Sequence, residues 1–76
     1  RPILLENVIL LIAGILGTEK CYIRKAGMNY HVDLHAIVDA KISVKEGHDL
    51  AHNLKDVLKK EFLNIENVLI HIEPNE

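Results

Sequence analysis

The sequence predicts an α+β fold: an αββαβ open-faced sandwich in which two helices cover one face of a three-stranded mixed sheet. Three observations carry that expectation. Residues 30–38 alternate, with Tyr30, Val32, Leu34, Ala36 and Val38 on one side and His31, Asp33, His35 and Ile37 on the other. Ser43 and Glu46 have the spacing of a capping box, in which each side chain satisfies a backbone N–H at a helix start. The stretch "VLIHIEP" alternates again near the end of the chain.

Each element can be justified in order. Pro2 suits the first helical position, where its missing N–H costs nothing, and Gly14 suits a stop, so residues 3–13 are expected to form the first helix. This run is strongly apolar, but a membrane span needs about 20 apolar residues, and Glu6 and Asn7 interrupt it. No signal peptide is recognised either. The expected role is a buried helix whose surplus apolar surface faces a second subunit. Residues 20–26 read as a strand with Cys21 and Ile23 on one side, and "AGMN" as a turn around Gly27. Residues 30–41 form the second strand. The second helix is expected over 44–62, with Leu50, Ala51, Leu54, Val57 and Leu58 as its core stripe. Residues 67–73 form the third strand, ended by Pro74. A helix joining the second and third strands implies a right-handed parallel crossover.

Composition narrows the function. Seventy-six residues with 49% hydrophobic content make one small globular domain, 1–76. A net charge of −2 and few aromatic residues provide no field for nucleic acid. The single cysteine, Cys21, forms no internal disulfide and reads as a core thiol. No phosphate-cradling glycine loop or nucleophile motif is present, so no enzyme is predicted.

The open face carries the chemistry. A single strand histidine is usually ordinary surface polarity, but here His35, His71 and Glu73 share the uncovered face. His48, at the flank of the second helix's core stripe, can lean toward the sheet edge. Three imidazoles and a carboxylate make a tetrahedral Zn(II) set, and less selectively one for Co(II), Ni(II) or Cd(II). His52 lies one turn beyond His48. Asp33 and His31 neighbour His35 and could orient it or hold a second ion.

"GILGTEKCYIRKAGMNYHVDLHAIVD", "SVKEGHDLAHNL" and "VLIHIEP" together resemble the C-terminal cytoplasmic domain of cation diffusion facilitator transporters, over nearly the whole chain. The resemblance implies a metallochaperone-like (ferredoxin-like) fold and a homodimer on the cytoplasmic side of the cell membrane, beneath membrane-spanning helices that are not in this chain. It implies binding of Zn2+ or a related cation such as Cd2+, Co2+, Ni2+, Mn2+ or Fe2+, which favours the transport-competent state. It matches His35, His48 and His71 to ligands and Glu73 to a bridging acid. A further family histidine falls on Glu19, which puts a two-metal site and strict zinc selectivity in question. Two other readings are a soluble metal carrier, which would usually present paired cysteines, and a purely structural dimerisation module.

Overall fold

A computed structural model of the chain describes Leu5 and residues 8–75. Pro2, Ile3, Glu6 and Asn7, on which part of the first-helix expectation rests, lie outside the described residues. Strands β1 (Gly17–Ala26), β2 (Asn29–Asp39) and β3 (Ile65–Asn75) form one sheet in the order β1-β2-β3. β1 and β2 are an antiparallel hairpin turned at Gly27, whose φ of 66° is open to glycine at little cost. β3 returns parallel to β2 after helix α1 (Val44–Glu61). This is the predicted mixed three-stranded sheet.

The alternation along β2 settles which face is covered. Val32, Leu34, Ala36 and Val38 are buried, together with Val68 from β3 and Leu54 and Leu58 from α1. Leu5, Ile9, Ile12 and Ile15 from the N-terminal segment complete this core. Both helical segments therefore lie on one face, and the opposite face carries His31, Asp33, His35, Leu69, His71 and Glu73. Burying a large aliphatic side chain contributes about 1.5–3 kcal/mol, which is why Ile9, Leu34, Leu54 and Leu58, the largest fully buried side chains among the described residues, anchor so small a domain.

Element ends differ from expectation in instructive ways. The first helix was expected to reach Ala13, but the described helical residues are Leu5 and 8–10. Beyond them Leu11 donates to Val8 at 3.2 Å and Ile12 to Ile9 at 3.1 Å, so the last turn tightens to i→i−3 bonding. The chain then turns at Gly14, with φ 96° and Leu50 Cδ2 only 2.9 Å from where a Cβ would stand. β2 stops at Asp39, two residues short of the expected Lys41, because the Asp39 carboxylate accepts the Lys41 N–H at 2.8 Å and starts a turn. β3 runs through Pro74 to Asn75. As an edge strand it can hold a proline whose missing N–H faces away from the sheet.

The helix start follows prediction closely. Ser43 Oγ accepts the Glu46 N–H at 3.0 Å, and Glu46 Oε1 accepts the Ser43 N–H at 3.0 Å. α1 ends one residue before the expected Phe62, which caps it by donating to the Leu58 carbonyl. Among the described residues, no helix is long and apolar enough to cross a membrane.

Candidate metal centre on the open sheet face

Register builds this site. His35 on β2 stands directly opposite His71 on β3, while Asp33 stands opposite Leu69, one diagonal step away. The His35 and His71 rings stack at 4.4 Å between centroids with a 17° interplanar angle. One donor atom each from Asp33, His35 and His71 lies within 4.8 Å of the others. Three groups that each favour a divalent ion thus converge on one point of the open face.

Electrostatics sharpen the picture. His35 Nδ1 is in direct contact with Glu73 Oε2. An ionised carboxylate can only accept, so Nδ1 carries the proton, and whenever the ring is neutral Nε2 is its electron-pair donor. Carboxylates hold metal-binding histidines in the required tautomer in this way. The same hydrogen bond holds the Glu73 carboxyl below its ordinary value of 4.5. Smaller contributions in that direction come from the charge on His35, from Lys20 and from Glu19, against an opposing effect of desolvation.

Asp33 is differently placed. Its Oδ1 lies 3.3 Å from His71 Nε2, close enough for charge attraction. It nevertheless makes no hydrogen bond, and the atom is shielded from solvent although the side chain as a whole is 46% exposed. The distance and the missing bond agree if the angle between the groups is poor. A screened carboxylate oxygen without a donor is costly unless a cation meets it. The donor chemistry and this unmet oxygen fit a divalent ion.

Glu19 enters through a β-bulge. Thr18 pairs with Ala36 and Lys20 with His35, which leaves Glu19 outside the ladder. Bulges commonly re-aim a side chain in this manner, and Glu19 is the smallest of the contributors that lower the Glu73 pKa. His31 lies on the same face in the row of Arg24 and Asn67, away from the converging group.

His48 lies apart from the other predicted ligands of its own chain. Among the described residues it does not join His35 and His71 within one chain. α1 packs on the core side of the sheet, whereas His35 and His71 face the other side, so the flank of the helix stripe directs His48 elsewhere. Its ring meets that of His52 at 4.5 Å. Asp33, by contrast, is more central than its sequence rank suggested. The available signal was its same-face position two residues before His35.

A surface groove of about 690 Å³ is lined by residues including Leu5, Tyr30, Phe62 and Leu63 at the hairpin end, and none of the predicted ligands lines it.

Comparison with known proteins agrees with this architecture. The family described as "Cation efflux protein, cytoplasmic domain" matches residues 4–75. The manganese efflux system protein MneP of Bacillus subtilis (strain 168) is 33% identical over 51 residues, covering 67% of this chain and 17% of its own length. Metal tolerance protein C1 of Arabidopsis thaliana is 27% identical over 70 residues, 92% of this chain and 15% of that protein. The chain thus spans less than a fifth of these relatives. A cadmium form of a substituted MamM C-terminal domain superposes with a TM-score of 0.91 at 17% identity, covering 95% of this chain and 90% of that one. At that identity the superposition establishes the fold alone. The metallochaperone-like arrangement expected from the resemblance is therefore the fold found, and the match over residues 4–75 places the chain in the cation efflux protein cytoplasmic domain family.

Proposed function

We propose that this chain is the metal-sensing cytoplasmic domain of a cation diffusion facilitator transporter, lying on the cytoplasmic side of a membrane below membrane-spanning helices that move the ion. The carrying observation is the convergence of Asp33, His35 and His71 donor atoms. These three residues are the proposed ligands, with Glu73 orienting His35 and Glu19 adding negative charge at the rim. The family is one of cation efflux and not an enzyme class.

The mechanism is linkage. An ion that binds a closed pair of chains better than an open pair shifts the population by the ratio of the two affinities. Tyr22 and Leu69, exposed by 61% and 54%, flank Asp33 in its cross-strand row. They give the open face apolar surface that a second copy can cover. Before ion binding, Asp33, Glu73 and Glu19 crowd negative charge on this face, and a divalent ion neutralises it. Two imidazoles suit Zn(II), while the carboxylates extend the range toward Mn(II). Zn2+ is the proposed ion. Mn2+, the cation in the printed name of one relative, is the alternative to compare with it.

Calorimetric titration of the chain with Zn2+ and with Mn2+, beside the His35→Gln/His71→Gln variant, tests the assignment. Loss of the tight binding event in the variant is expected. Equal affinities for the two proteins would remove the proposal. Binding should also weaken as pH falls, because protonated imidazole cannot ligate.

A further inference from the structure

The outer strand sets a positive charge beside the converging donors. β1 presents Lys20, Tyr22 and Arg24 to the open face, because Cys21 and Ile23 between them stand opposite the core residues Leu34 and Val32. Lys20 stands opposite His35, which in turn stands opposite His71, so the lysine and both imidazoles share one cross-strand row. Directly opposed residues have Cβ atoms about 4.5–5.5 Å apart, a gap that the four-carbon lysine stem can cross. The bulge decides which residue takes this place. Thr18 pairs with Ala36, and regular pairing would next set Glu19 against His35. The extra residue sets Lys20 there instead. An acid opposite the imidazole is thereby exchanged for a base.

From this geometry we infer that Lys20 is a tethered cation that competes with the divalent ion and so sets the ion concentration at which the sheet site fills. The inference rests on the metal-binding reading of Asp33, His35 and His71 and concerns the response threshold of that site. While the face is empty, the ammonium offsets part of the negative charge of Asp33, Glu73 and Glu19. Its influence is already felt, since Lys20 is among the causes that hold the Glu73 carboxyl low. A protonated lysine has no electron pair to offer, so it repels an incoming ion and ligates none. Lys20 is exposed, and its flexible stem can turn to solvent once the ion is seated. A unit charge about 8 Å from a divalent ion in water-like surroundings changes the affinity roughly fivefold. Salt at about 1 M, where the screening length is about 3 Å, removes most of that effect.

The bland alternative is a solvated lysine that the ion does not feel. The test is Zn2+ titration of the wild-type chain beside Lys20→Gln and Lys20→Arg, at low salt and again at about 1 M salt. Lys20→Gln should bind Zn2+ roughly fivefold more tightly than wild type at low salt, and the two should converge at high salt. Lys20→Arg keeps the charge and should match wild type at both. Equal low-salt affinities of wild type and Lys20→Gln would overturn the inference. So would a gain that persists undiminished at high salt, or one that Lys20→Arg shares, because either would trace the effect to packing and not to charge. Tight Zn2+ binding that is indifferent to Lys20→Gln removes this inference and leaves the proposed function standing. Absence of Zn2+ binding in all three chains removes both, so the two failures are distinguishable.

Discussion

Glu73 gives up its proton more readily than a free glutamate because the His35 ring donates to its carboxylate. Its folded-state pKa is lowered, so this contact stabilises the fold at pH values above the ordinary glutamate range. The stabilisation is lost as pH falls through the lowered value. NMR titration of the His35→Gln chain should show the Glu73 midpoint moving up toward 4.5, and an unmoved midpoint would assign the shift to other charges. Asp33 makes the opposite trade. Its screened Oδ1 lacks a hydrogen bond, so Asp33→Asn should leave the ion-free melting temperature unchanged or higher while lowering divalent-ion affinity. Much of this face was legible in the sequence, because period-two alternation places His31, Asp33 and His35 together whatever the details. The cross-strand partner was not. Pairing His35 with His71 rather than with its neighbours depends on a register that two separate segments set jointly.

At the level of elements, α1 was the easiest to read, since its start is a local device. Ser43→Ala should cost about 1 kcal/mol, measurable as a lowered urea midpoint with unchanged slope. A midpoint that does not move would show that the rest of the helix fixes its own start. Its apolar stripe was also local, and Leu54 and Leu58 are fully buried as that stripe requires. Strand lengths were less legible: β1 begins at Gly17 and β3 ends at Asn75 because neighbours continue the ladder past the apolar signal. The placement of His48 illustrates a further limit. Helical spacing shows which residues flank the core stripe, but not whether the flank reaches the far side of a sheet. Within one chain, the element order places the helices on the face opposite His35.

For the molecule as a whole, size dominates. A domain of 76 residues has a net stability of only about 4–11 kcal/mol by the usual per-residue scale, and Leu54→Ala should remove about 2–5 kcal/mol of it. That variant is expected to be partly unfolded at 37 °C and to regain structure with saturating Zn2+. An ion at a hundred times its dissociation constant contributes about 2.7 kcal/mol. Circular dichroism with and without ion checks this, and a native, ion-independent signal would contradict it. The proposed pairing of two chains belongs to the same scale. Leu69→Asp places a charge in the apolar surface beside Asp33, so sedimentation velocity with Zn2+ present should show the association weakened relative to wild type. Undiminished association would move the contact to another face. The bulge on the outer strand has a quieter implication. On either side of Glu19 the antiparallel partners run in two consistent series, offset by that one residue. A chain from which residue 19 alone is deleted would zip into a single uninterrupted ladder with every other neighbour kept. An acidic group at the rim can therefore be inserted or removed as a unit, without re-threading the face on which the histidines stand.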